Sequence, residues 1–305
     1  MNLYAPKYYT DFVCIADRCR HSCCIGWEID VDSETHEKYR SLSGGYGEVI
    51  KNSIDSSDTP HFKLCEEDRC PHLNEKGLCR IILNLGEDHL CHICREHPRF
   101  YNQTLSGTEV GLGIACEEAC RIILSSDSYG EMLCVGKSAQ DVNSDELEID
   151  SVAQRDIVYS TLGDRSISLE QRLSALCERY SIFLDILTDS EWRELLSSLE
   201  YLYPEDQELF SCFEAAATIP KGLENEFERL FAYFIYRHCS GAYDETDFVA
   251  SLFFSLFCTR LVASIMQARG NNDLYLLEDV ARKVSEELEY SEDNTEAIKT
   301  EYLFS

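Results

Sequence analysis

The chain has 305 residues, 44% of them hydrophobic and 27% charged, the composition of a folded protein with a real core rather than a disordered tail. Its formal net charge of −29 repels phosphate backbones and anionic lipid, so no nucleic acid and no membrane surface is expected as a partner. Such a surface suits a lysine-rich protein partner, or simply keeps the chain soluble.

The first residues, MNLYAPKYYTDF, lack the basic start and apolar run of a secretory signal, which points to a cytoplasmic protein. Sixteen cysteines are present, and eleven of them fall between Cys14 and Cys120, together with seven of the eight histidines. This defines an irregular cysteine-rich module over residues 1–124. Two short strands are predicted in it, over 26–31 (GWEIDV) and over 109–115, where Val110, Leu112 and Ile114 alternate with Glu109, Gly111 and Gly113. Residues 125–166 are acidic and lack periodicity, as an acidic connection would.

From residue 167 to 305 the pattern is α-helical. Leu169, Leu173, Leu176 and Tyr180 recur at helical spacing, as do Leu223, Phe227, Leu230 and Phe234. Thr188 with Glu191 marks a helix start, while Pro204 and Pro220 mark breaks. The apolar window 248–266 reaches the length of a membrane span but contains Arg260 and several small polar residues, and reads as a buried helix. The fold class expected is mainly α: an irregular metal-binding module with short strands, then a helical domain. Cys134, Cys177, Cys212, Cys239 and Cys258, scattered through the second half, read as small core residues.

The cysteines form three groups: Cys14-x4-Cys19-x3-Cys23-Cys24; Cys65-x4-Cys70-x8-Cys79 with Cys91-x2-Cys94; and Cys116-x3-Cys120. Thiolates at such spacings bind soft or borderline cations, and in a reducing compartment that reading outranks a disulfide framework. Structural zinc favours two close pairs of the C-x2-C kind, and only Cys91 and Cys94 make one. An iron-sulfur cluster accepts ligands from distant segments and is favoured, with zinc the alternative. The C-x3-C-x2-C signature of radical enzymes is absent: position 26 is Gly and position 123 is Ile. Residues 109–115 also look like the glycine-rich turn that opens a Rossmann-type S-adenosylmethionine site, but the preceding YNQTLSGT is too polar for the strand that turn requires, and the alternating strand is favoured. His72, His89, His92 and His97 are read as surface or hydrogen-bonded residues rather than ligands. Arg99 could hold a carboxylate of substrate or cofactor or, as favoured, a structural one such as Asp30.

The run Phe12, Cys14, Cys19, Cys23, Cys24, Gly26, Trp27, Ile29, Asp32, then Cys70-Pro-His-Leu to Cys79-Arg-Ile, then Gly86-Glu to Cys94 and Pro98-Arg99, then Cys116-x-Glu-Ala-Cys120-Arg, resembles the flagellin lysine-N-methylase (FliB-type) family. Segments around Glu228 to His238, at Tyr243-Asp244, and from Tyr290 to Asn294 extend the likeness into the helical half. The resemblance implies methyl transfer from S-adenosylmethionine to lysine side chains of flagellin, with a cysteine-bound 4Fe-4S cluster. It nominates Cys14, Cys19, Cys23, Cys24, Cys70, Cys79, Cys94 and Cys116 as ligands, and leaves Cys65, Cys91 and Cys120 off the family's pattern. Trp27 and Tyr39 could bracket an amine or sulfonium by cation–π contact. The other reading is a non-catalytic zinc- or iron-binding protein.

Overall fold

The computed structural model describes residues 1–138 and 147–305. In chain order its elements are β1 (Asn2–Pro6), α1 (Ser33–Ser41), α2 (Gly45–Ser53), β2 (Ile54–Asp55), β3 (His61–Phe62), α3 (Arg80–Leu85), α4 (His92–Glu96), β4 (Arg99–Thr104), β5 (Gly107–Leu112), α5 (Glu117–Ser125) and β6 (Met132–Lys137). The remaining elements are helical: α6 (Ser151–Leu162), α7 (Leu169–Tyr180), α8 (Asp189–Ser198), α9 (Pro204–Phe210), α10 (Glu224–Cys239), α11 (Glu245–Arg269), α12 (Leu274–Val284) and, beyond a π-helical turn at Ser285–Glu289, α13 (Glu292–Leu303). The mainly helical class expected is the one found.

The chain divides into two compact units, Val13–Pro98 and a second made of Met1–Phe12 with Arg99–Ser305. The division differs from the one composition suggests near residue 125. Backbone pairing is the cause: β1 runs parallel to β5 and antiparallel to β6, in a sheet ordered β4-β5-β1-β6, so the first residues join the later chain. Cys116 and Cys120 therefore fall outside the Val13–Pro98 unit, on α5. The acidic connection of residues 125–166 holds β6 and α6, and its residues 139–146 lie outside the described residues.

In the larger unit the helical periodicities hold. Leu169, Leu173 and Leu176 of α7 are buried, and Thr188 caps α8 in a reciprocal box with Glu191. Pro204 opens α9, where its missing N–H costs nothing. α10 is buried on every side from Phe227 to Tyr236, beyond the single face its spacing predicts, because α5, α6 and α11 all pack on it. α11 is the one helix among the described residues long and apolar enough to cross a membrane, and 89% of its apolar window is buried inside the protein. Its Arg260 is neutralised by a two-pronged pair with Glu170 at 2.9 and 2.7 Å. The hydroxyls of Ser255 and Thr259 donate to carbonyls one turn back, both at 2.8 Å.

β5 is buried at all six positions. Gly111 permits this, since a Cβ there would lie 2.2 Å from the Phe100 ring and 2.7 Å from that of Tyr236. Glu109, on the face left to polar residues by the alternation, is also buried, and Arg155 of α6 grips its carboxylate at 2.5 and 3.0 Å. Of the scattered cysteines, Cys239 and Cys258 are buried and Cys177 and Cys212 half-buried, whereas Cys134 on β6 is exposed, contrary to expectation.

The Val13–Pro98 unit has its own small core of Ile29, Val31, Tyr39, Ile50, Ile54, Phe62, Cys70, Ile81 and Cys91. No strand forms over residues 26–31. Ile25 and Asp30 make only isolated bridges, to Arg69 and His61, because the partner segments are too short to extend a ladder.

Candidate metal centre

Three loop segments and one short helix carry cysteines into the core of the Val13–Pro98 unit. Cys24 and Cys70 are joined through the backbone, the Cys70 N–H donating to the Cys24 carbonyl at 2.8 Å. The chain then turns at residues 74–78, where the Asn74 side chain accepts from the N–H groups of Lys76 and Leu78 at 2.8 and 2.9 Å and Gly77 adopts φ 74°. That turn sets Cys79 opposite Leu73 and returns it towards Cys70. Cys91 immediately precedes α4 and Cys94 is its third residue. The Asp32 carboxylate fixes this helix start, accepting from the His92 N–H at 2.7 Å while capping α1 through Thr35 at 3.0 Å.

Five sulfurs result: Cys70 and Cys91 buried, and Cys24, Cys79 and Cys94 half-buried against the same core. The Cys91 and Cys94 Sγ atoms lie 3.3 Å apart. A proton shared between them depresses the Cys91 thiol and raises that of Cys94. Burial pushes the Cys70 thiol up to about 12, reinforced by the negative charge that Cys24, Cys79 and Cys91 would carry as thiolates, and burial likewise raises Cys79. Cys24 moves the other way, to about 7, because the Cys23 side chain hydrogen bonds to its thiolate. Five thiols sensing one another's charge are a soft donor set, the chemistry that zinc and iron-sulfur clusters take. Among the described residues, no three His, Cys, Asp or Glu side chains already stand in the arrangement of a bound ion.

Of the eight cysteines nominated, Cys24, Cys70, Cys79 and Cys94 are brought together. Cys14 and Cys23 are exposed, Cys19 is half-buried with its thiol 2.9 Å from the His21 carbonyl, and Cys116 caps α5 in the other unit. Cys91, which the family pattern leaves aside, is the fifth member, and its C-x2-C spacing with Cys94 is the signal that could have placed it. Cys65 is exposed, and Cys120 is buried in the larger unit with its thiol pushed well up by burial.

His72 is fully buried, with Nδ1 2.8 Å from the Tyr46 hydroxyl and Nε2 2.9 Å from that of Ser53, so both ring nitrogens are occupied. Burial pushes this imidazole down to about 4 and keeps it neutral. Tyr39 is no amine bracket: it is fully buried and its hydroxyl donates to the His89 carbonyl at 2.5 Å. Arg99 donates from Nε to the Tyr9 hydroxyl at 2.9 Å and lies over the Tyr9 and Phe12 rings.

No family model and no solved structure matches the chain. Lysine-N-methylases of Salmonella choleraesuis and Salmonella typhimurium are each 31% identical to it over 129 residues, 39% of this chain and 32% of theirs. The chain thus matches about a third of the length of these relatives. The flagellar biosynthetic protein FliU of Salmonella muenchen is 31% identical over 127 residues, and there the match covers 75% of FliU. With that share of FliU covered at 31% identity, the chain belongs to the flagellin lysine-N-methylase family.

Proposed function

We propose that the chain is a protein lysine N-methyltransferase, acting in the cytoplasm on flagellin or a similar lysine-bearing protein with S-adenosylmethionine as methyl donor. The observation that carries this reading is the 31% identity to proteins named lysine-N-methylase. The strongly acidic surface supports it, because a net charge of −29 gathers a lysine-bearing partner. Methyl transfer needs a neutral amine: the new N–C bond forms as the donor's S–C bond breaks, and the lysine must have lost its proton first.

The thiol core is the place proposed for a metal group. Four of Cys24, Cys70, Cys79, Cys91 and Cys94 would hold it, a 4Fe-4S cluster in preference to zinc because the donors come from separated segments. When bound, the group would cross-link α4 to the Cys24 and Cys70–Cys79 loops and supply local structure that so small an apolar core lacks.

The test is purification without oxygen, then metal analysis, a visible spectrum, titration with S-adenosylmethionine and a labelled-methyl assay on flagellin. Brown protein carrying iron and sulfide, binding the donor and labelling lysine is the expected result. Colourless protein loaded with zinc and indifferent to the donor overturns it in favour of a non-catalytic metal-binding protein.

A further inference from the structure

The Cys91 and Cys94 sulfurs stand 3.3 Å apart. Cys91 is fixed: it is fully buried, its backbone leads into α4, and the carbonyl accepts from the Arg95 N–H at 3.0 Å. Cys94 is half-buried and so the more accessible of the two. Residues three apart at a helix start project from the same side, and the 3.3 Å gap stands against a disulfide length of about 2.05 Å.

We infer that Cys91 and Cys94 form a reversible disulfide in the metal-free chain, and that this bond shuts the thiol core to metal. With a peroxide as oxidant, one sulfur of the pair attacks the O–O bond, giving a sulfenic acid and one water. The other sulfur then displaces the sulfenic oxygen as a second water and the S–S bond closes. Two thiols lose two electrons and two protons, and one peroxide becomes two waters. The bond removes two of five donors, since a disulfide sulfur is no thiolate ligand. It also joins the two cysteines in the chain's one C-x2-C spacing, so the pair best placed to start metal capture is the pair oxidation takes away.

The inference rests on the reading of the thiol core as a metal-loading site, and the experiment separates the two. Full-length protein is stripped of metal, reduced, and treated with one equivalent of hydrogen peroxide. Tryptic residues 81–95 contain Cys91 and Cys94 and no other cysteine. This peptide is expected to lose about 2 Da, regained with dithiothreitol, while the peptides carrying Cys70 and Cys79 stay unlinked. Zinc ion is then offered to the reduced and the oxidised protein, and uptake is expected to fall roughly tenfold or more on oxidation and to return on reduction. No mass loss, or linkage of residues 81–95 to another peptide, overturns the inference. So does a Cys91–Cys94 disulfide that leaves zinc uptake unchanged, in which case the metal reading survives. Failure of the reduced protein to take up zinc or iron overturns both together.

Discussion

At the scale of single residues, cysteines of equal standing in the sequence separate into two kinds. Cys65 is exposed and Cys91 buried among thiols, though the resemblance nominates neither as a ligand. Cys91→Ser should therefore cost most of the bound metal, and Cys65→Ser almost none, as read by metal content per chain after anaerobic purification. Spacing made the thiol cluster legible, but it could not say which sulfurs turn inward, because that depends on the Asn74 turn and on Asp32 holding the start of α4. The helical half hides a different residue. Glu287 accepts from the backbone N–H groups of Leu202 and Tyr203 at 2.7 and 3.0 Å, and burial outweighs those donors, raising its carboxyl from 4.5 to about 7. A carboxyl raised in the folded state stabilises fully below pH 4.5, and that contribution is lost as pH climbs through about 7. Denaturation midpoints should fall over that window, and Glu287→Gln, with nothing to titrate, should flatten the slope.

At the scale of elements, features governed by local rules were readable and those governed by distant packing were not. The Thr188 box and the α7 stripe are written within four residues of themselves and appear as expected. The strand expected over residues 109–115 exists, shifted two to three residues towards the N-terminus, as Gly107–Leu112, but its alternation is misleading because both faces are covered. Covering the second face needs Gly111 to stay bare and Glu109 to be answered by Arg155. Gly111→Ala should thus push apart Phe100 and Tyr236 and destabilise by about 1–3 kcal/mol. Arg155→Ala, which strands a buried carboxylate between β5 and α6, should cost about 3–5 kcal/mol in chemical denaturation. The Glu109→Gln/Arg155→Met double variant should recover much of that loss, since no charge is left unanswered.

Over the whole molecule, charge acts without regard to fold. A chain at −29 repels itself, whereas its interior ion pairs, Glu109 with Arg155 and Glu228 with Arg172, are sheltered from salt. Raising NaCl from about 10 to about 150 mM should lift the melting temperature by a few degrees, and a fall would mean that surface pairs dominate instead. The placing of the unit boundary was beyond sequence reasoning for a related cause, since composition changes near residue 125 but strand pairing decides membership. The sheet also imposes an order in time. β1 leaves the ribosome before its partners and must wait for β5, more than a hundred residues later, before it has a parallel neighbour, and for β6 after that. All of Val13–Pro98 is synthesised inside that interval. Its thiols are thus exposed to cellular metal and oxidant while the larger unit is still incomplete, so the fate of the cysteine core is open to settlement during translation.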